Sequence, residues 1–456
     1  MSSNTKRSPK ELGTEPVGRL LMKYAIPAVI SMLAASAYNI VDRAFLGQNV
    51  GALAIAGLAI TFPIMNLSAA FGAMIGAGGS TLLSIKLGQK DYVTAERVLG
   101  NVISLNIIIG GLFALLAIVF IDPILEFFGA SDNTISYARD YMLVILYGNI
   151  IIHLGHGLAN MLRVSGHPNK AMISVILGVG INIVLDYLFI FTIQWGILGA
   201  AYATVLSQLL GLVYLTISLC NPQDLIRIRR GIFGLKKRIV KNIFAIGISP
   251  FCMQLCACLV VILINRGLRT HGGDLAIGAY GIINSITFMF IMTVMGITQG
   301  MQPIVGYNYG AQQYGRVTQA LRYAIILSTI VMVLSFIQCE FFPHVPIAIF
   351  TDDEETIRIA IDGMRTVQLL APLIGFQIVV ANFFQSIGMA KKSIFISLSR
   401  QMLFLMPMLI ILPRYFGTTG VWASITVADG LSVLVAGGML WHFFRSGSFN
   451  KTEIEL

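Results

Sequence analysis

The sequence predicts an all-α membrane protein, with twelve transmembrane helices in two six-helix lobes related by a pseudo-twofold axis. Three observations predict it. The 456 residues are 56% hydrophobic and only 11% charged, with a mean hydropathy of +0.81, whereas a soluble chain carries about 25% charged residues. Apolar stretches of membrane-spanning length recur along the whole chain. The second half of the chain also repeats the first.

About 20 apolar residues cross a bilayer as a helix. Twelve stretches qualify, at 24–47, 52–76, 97–121, 138–161, 169–193, 197–220, 243–267, 277–301, 319–341, 364–387, 394–413 and 419–444. Backbone polar groups in lipid must be satisfied within the segment, which makes these helices. Barrel strands alternate over about ten residues, and these runs are longer and more evenly apolar. The polar, basic segment 1–18 is not followed by a short cleavable apolar core, so no cleaved signal peptide is expected.

An offset of 222 lays residues 54–99 on 276–321 without a gap, pairing Ala54 with Ala276, Gly78 with Gly300, Gly88 with Gly310 and Tyr92 with Tyr314. The same offset pairs Asn160, Gly166 and Lys170 with Asn382, Gly388 and Lys392. In helix 1 the offset becomes 223, pairing Pro27 with Pro250 and Arg43 with Arg266. Six helices per half start and end on one side, so the repeats are parallel, with an expected substrate path between them. The expected domains are an N-lobe at 1–222, a cytoplasmic amphipathic linker at 223–242 and a C-lobe at 243–456. Pro27 and Pro250, near the cytoplasmic starts of helices 1 and 7, are candidate helix kinks.

Charge sets the orientation. The N-terminus, even-numbered loops and C-terminus hold 24 of the 31 Lys and Arg, and the odd-numbered loops hold 7. The positive-inside rule therefore expects both termini in the cytoplasm of a multi-pass protein of the cell inner (plasma) membrane. The net charge of +10 is spread along one membrane face, so a nucleic-acid partner is not expected. The linker interleaves Arg227, Arg229, Arg230, Lys236, Lys237 and Arg238 with Ile226, Ile228, Ile232, Phe233 and Leu235. That pattern is expected to rest on anionic membrane lipids.

Of the 21 Asp and Glu, 18 fall in loops, tails or helix ends, and three lie deeper: Asp42, Asp186 and Asp429. Charges in the bilayer are costly and functional by default. At about 1.5 Å per residue, Asp42, Asp186 and Thr204 share one level in the outer half of the bilayer. Asn182 lies one turn below Asp186 on the same face, and Tyr38 and Asn39 share the face of Asp42. Tyr38, Asn39, Asp42, Asn182, Asp186 and Thr204 thus form a candidate cation- or proton-binding cluster. If the ion is Na⁺, Asp42, Asp186, Asn182 and Thr204 are the metal-ligand set. Mutual repulsion of two carboxylates would let a proton replace the ion. Asp429 and His156 are candidate substrate-cavity residues.

Other chemistries are not supported. There is no Walker loop, and no paired nucleophile and base for a hydrolase. Cys252, Cys256 and Cys258 lie in an apolar helix without a nearby His or acid and read as small core residues. The chain is not expected to be an enzyme, and no cofactor is expected beyond a coupling H⁺ or Na⁺. A sugar-porter fold would carry a basic Gly-Asp-Arg loop between helices 2 and 3, where this chain has Gly88-Gln-Lys-Asp-Tyr-Val-Thr.

Three segments carry a family resemblance. Asn39-Ile-Val-Asp-Arg-Ala-Phe-Leu-Gly47, Ala159-Asn-Met-Leu-Arg-Val-Ser-Gly-His-Pro-Asn-Lys170 and Asn182-Ile-Val-Leu-Asp186 resemble motifs of the MATE (multidrug and toxic compound extrusion) transporters. The match is best to the branch with damage-inducible-type bacterial members. The resemblance implies extrusion driven by inward Na⁺ or H⁺ flow, with an N-lobe site at the positions of Asp42, Asn182, Asp186 and Thr204. The other bacterial branch has a Glu in helix 7, but Pro250-Phe-Cys-Met-Gln254 contains no acid, so no C-lobe ion site of that type is implied.

The leading expectation is a monomeric, cation-coupled antiporter that exports organic, cationic and amphipathic compounds by alternating access. A flippase for a lipid-linked intermediate is the alternative, and it would want a more basic cleft. A non-transporting receptor or scaffold comes third, because it leaves the deep acids unexplained. The repeat is unequal at these acids. Asp42 maps to Asn265, Asn182 to Phe404 and Asp186 to Met408, so the carboxylate pair belongs to the first half alone.

Overall fold

The computed structural model describes residues 10–49 and 52–447, without the side chains of 39, 40, 43, 44, 47–49, 52 and 55. Among them there are helices and no strands. Eight helices are long and apolar enough to cross a membrane, or ten if each of two bent pairs is one span. The two longest are each broken at one glycine, Gly273 (φ 65°, ψ −162°) and Gly417 (φ 56°, ψ −134°). Dividing them there yields the twelve expected spans. These backbone angles are open essentially to glycine alone, which is why the two breaks fall where they do.

We number the spans in chain order. Val17–Asn49 is α1, Ala52–Gly88 is α2 and Tyr92–Val119 is α3. The bent pair Ile135–Tyr147 and Asn149–Val164 is α4. Pro168–Asp186, continued by a π-helical turn at Tyr187–Thr192, is α5, and Gly196–Leu219 is α6. Residues 237–272 and 274–310 are α7 and α8, and Tyr314–Phe341 is α9. The bent pair Glu354–Gln368 and Ala371–Ser386 is α10. Residues 390–416, with a π-helical turn at Ser399–Leu405, form α11, and residues 418–445 form α12.

The repeat survives in the backbone. Both α4 and α10 bend by 53°; α5 and α11 each contain a π-helical turn, with starts 212 rather than 222 positions apart. Lys90 and Gln312, 222 positions apart, take left-handed φ values of 60° and 59° after α2 and α8. Gly166 and Gly388 do the same after α4 and α10, at 100° and 77°. A left-handed residue after a helix lets the chain reverse at once. At the start of α10, Asp353 accepts from the Thr356 N–H at 2.8 Å and from its hydroxyl at 2.5 Å. These bonds hold its carboxyl below the usual carboxylate range.

Two compact units emerge. The first comprises Met1–Glu15, Ile30–Phe251 and Gly306–Gln312, and the second comprises Pro16–Val29, Cys252–Val305 and Gln313–Leu456. The chain changes unit at Val29/Ile30 and at Phe251/Cys252, each within two residues of a repeat-related proline, Pro27 or Pro250. Both prolines lie within helical backbone.

In the first unit α2, α3 and α4 pack on one another, and α6 packs on α4 and α5. Its core includes Leu46, Tyr141, Ile145, Ile190 and Ala200. Glycines permit the closest approaches. A Cβ on Gly78 would overlap the Ile243 carbonyl of α7, and one on Gly247 would overlap Met74 of α2. In the second unit a Cβ on Gly300, the repeat partner of Gly78, would meet the backbone of Ala25 at 2.5 Å. That unit's core gathers Ile264, Leu268, Ile283, Met364, Leu409 and Trp422.

The linker is not helical between Cys220 and Lys237, and it is bonded to the first unit. Asn101 of α3 donates to the Gly234 carbonyl at 3.2 Å and accepts from the Lys236 N–H at 2.9 Å. The Ser104 hydroxyl donates to the Phe233 carbonyl at 2.7 Å. Ile226 and Ile232 are buried, while Phe233, Leu235 and the basic residues Arg230 and Lys236–Arg238 remain exposed. Arg229 pairs with Glu96 at 3.2 Å and His167 with Asp224 at 3.2 Å. One side of the amphipathic pattern therefore packs on protein.

Candidate functional site

The candidate cluster assembles within the first unit from four helices. Residues Tyr38 and Asp42 come from α1, Tyr141 from α4, Asn182 and Asp186 from α5, and Thr204 from α6. Asp42 is 6% exposed, Asn182 2%, Asp186 0% and Thr204 6%. The spacing Asn182 to Asp186 places both side chains on the face of α5 that packs against α6. Asp186 is the last residue before the π-helical turn. Such turns insert one residue and re-aim side chains, and they recur at functional sites.

The groups interact as a unit. Asp42 and Asp186 act on one another electrostatically. The phenols of Tyr38 and Tyr141 both feel the two carboxylates and lie beside the Thr204 hydroxyl. Both carboxylate oxygens of Asp186 and both amide atoms of Asn182 are buried without a hydrogen-bond partner among the described residues. A buried polar atom left unpaired costs about 1–3 kcal/mol, and more if charged. Two carboxylates buried side by side are costlier still. Asp42, Asp186, Asn182 and Thr204 together present hard oxygen donors in this buried site.

Not every predicted site residue joins this cluster. The side chain of Asn39 lies outside the described residues. His156 is exposed on α4, near the buried His153. Asp429 belongs to α12 in the second unit, where it accepts from Arg400 Nε at 2.6 Å. By charge distribution Arg400 counts with the cytoplasmic side, but it lies on the π-helical turn of α11, ten residues beyond the helix start at Ala390. Its position inside the apolar stretch 394–413 was the available signal. Tyr141 had none, because only the fold of α4 against α1 and α5 brings it to the site.

A second buried polar group spans α2, α3 and α4. The Ser68 hydroxyl donates to Asn149 Oδ1 at 2.7 Å and lies 2.9 Å from His153 Nε2, and Asn149 donates to the Gly110 carbonyl at 2.8 Å. Asn149 sits at the α4 bend, so these bonds fix the side chain where the helix turns.

A family model described as MatE matches residues 27–188 and 246–411, one copy in each half. The chain belongs to the MATE family. Among its relatives, the multidrug export protein MepA of Staphylococcus aureus is 26% identical over 421 residues, 92% of this chain and 93% of that protein. The MepA of Staphylococcus haemolyticus is 25% identical over 418 residues, 92% of each chain. The solved structures agree. A multidrug resistance MATE transporter in its outward-facing conformation superposes with a TM-score of 0.92 at 25% identity, over 98% of this chain and 100% of that one. A transporter from Pyrococcus furiosus superposes at 0.91 and 25%, with the same coverage. This MATE protein is therefore a multi-pass membrane transporter and not an enzyme.

Proposed function

We propose that this MATE chain is a cation-coupled antiporter, driven by H⁺ or Na⁺, that exports organic, cationic and amphipathic compounds. The observation that carries the reading is the Asp42–Asp186 pair, buried together with unpaired oxygens on Asp186. The names of the curated relatives, multidrug export proteins, support the substrate class. Both termini are assigned to the cytoplasm from the loop charges, the working unit is a monomer, and the lobes are 1–222 and 243–456.

The mechanism follows from electrostatics. A monovalent ion entering the N-lobe offsets one of the two negative charges of Asp42 and Asp186 and relieves their mutual repulsion in the buried site. Tyr38, Tyr141, Asn182 and Thr204 position the pair and complete the oxygen shell. The occupied site favours one orientation of the transporter and the empty site another. Substrate binding favours the second, and coupling is the difference in affinity.

Proteoliposomes with separately imposed Na⁺ and H⁺ gradients test this. Ethidium flux is expected to follow one gradient and to lose that dependence in Asp42→Asn and in Asp186→Asn. Gradient-driven flux at the wild-type rate in both variants would sink the proposal.

A further inference from the structure

We propose that Arg400 of α11 is an oxyanion-recognition site in the second unit, taking a carboxylate or phosphate group of an amphipathic ligand.

Depth in the bilayer constrains both members of the Arg400–Asp429 pair. Arg400 is ten residues into α11 from Ala390, which is about 15 Å. Asp429 stands eleven residues into α12 from residue 418. Both lie near the middle of a hydrocarbon layer about 30 Å thick, and a charge there faces protein or a water-filled cavity, not lipid.

The pair is lopsided. Asp429 is 2% exposed, and among the described residues its side chain receives a single bond, from Arg400 Nε at 2.6 Å. Its second oxygen is buried without a partner among the described residues. The Arg400 side chain keeps 23% of its surface accessible. Among the described residues it makes no hydrogen bond other than the one from Nε. The carboxylate is therefore sealed, while part of the Arg400 side chain is accessible. Its terminal nitrogens, Nη1 and Nη2, form a planar fork that matches carboxylate or phosphate oxygens bidentately.

The local backbone supports this. Arg400 sits on a π-helical turn, as Asp186 directly precedes one in the repeat-related helix α5. In each half, the irregular turn adjoins the deep charge of that helix: negative in the first, positive in the second. The ligand reaching Arg400 is thus of opposite sign to the coupling cation. Asp429 holds the guanidinium in place and keeps the empty site neutral.

The test uses the purified full-length protein in a neutral detergent, with fluorescein as a carboxylate dye and ethidium as a cationic dye. It reads equilibrium binding, so it does not depend on the coupling proposed for Asp42 and Asp186. In Arg400→Gln/Asp429→Asn, which removes both charges together, the affinity for fluorescein relative to ethidium is expected to fall at least tenfold. Arg400→Lys, which keeps the charge and loses the fork, should fall between. Asp429→Asn alone releases the guanidinium and should tighten fluorescein binding, an effect that a purely structural pair would not produce. A ratio unchanged within twofold in Arg400→Lys and the double variant, or an equal loss of both dyes, would overturn the proposal. Displacement of fluorescein by phosphatidylglycerol but not phosphatidylcholine supports it with a lipid headgroup as the occupant. Failure of both lipids to displace the dye supports it with a dissolved substrate.

Discussion

Gly88 and Gly310, 222 positions apart, each lie against the turn that precedes the other. A Cβ on Gly88 would overlap the carbonyl of Tyr307, and one on Gly310 would overlap the carbonyl of Ile85, the repeat partner of Tyr307. The ends of α2 and α8 therefore cross backbone to backbone within the first unit, and the duplication preserved both sides of the contact. A methyl group there must push two helices apart. Gly88→Ala or Gly310→Ala is expected to cost about 1–3 kcal/mol, read as a lower melting temperature of the purified protein. Gly438→Ala is the control. No atom lies within 4 Å of its added Cβ, and alanine is the better helix former by about 1 kcal/mol, so it should hold or raise the melting temperature.

Gly417 and Gly273 test a different property. Both sit where two spans meet with positive φ, a region closed to L side chains. There is room for a methyl group at Gly273, so any loss in Gly273→Ala comes from the backbone and not from a clash. A destabilisation on the order of 1–3 kcal/mol is expected, and a neutral result by thermal melting would show that the break relaxes without cost.

Within the ion cluster the residues divide by charge. Asn182→Ala and Thr204→Val keep both carboxylates and remove one oxygen each. Transport should persist at saturating ion, with the half-saturating ion concentration raised at least threefold. An unchanged ion dependence in both would remove Asn182 and Thr204 from the shell.

Asn101 fastens the linker by two bonds to main-chain groups. Asn101→Leu leaves the Lys236 N–H and the Gly234 carbonyl without that partner, a loss of about 1–3 kcal/mol. In inside-out vesicles, trypsin should cut near Arg229 and Arg230 faster in this variant than in the parent. Equal cleavage rates would mean that the strap is held elsewhere.

Ser68 joins Asn149 and His153. Ser68→Ala strips both buried groups of that bond and is expected to destabilise by about 1–3 kcal/mol. A double change of Ser68→Ala with His153→Phe should recover part of the loss, because removing both partners costs less than orphaning one. Additive losses in the melt would contradict a shared network.

The sequence alone determined the twelve apolar spans, their duplication and the depth of Asp42, Asp186 and Asn182, because span length, helical rise and i to i+4 spacing are local properties. The motifs around Asp42 and Asp186 pointed to the family, which the match over both halves then showed. The tertiary structure decided what the local pattern does not encode. Tyr141 reaches the carboxylates only because α4 bends at Gly148 and folds onto its neighbours. Arg400, an isolated cation in an apolar stretch, becomes legible as half of an ion pair once α12 is packed beside it. The docking of the linker on Asn101 likewise depends on a partner distant in sequence. Apolar periodicity specifies which residues leave water. Which buried polar groups meet depends on contacts between helices, and those exist only in the packed fold.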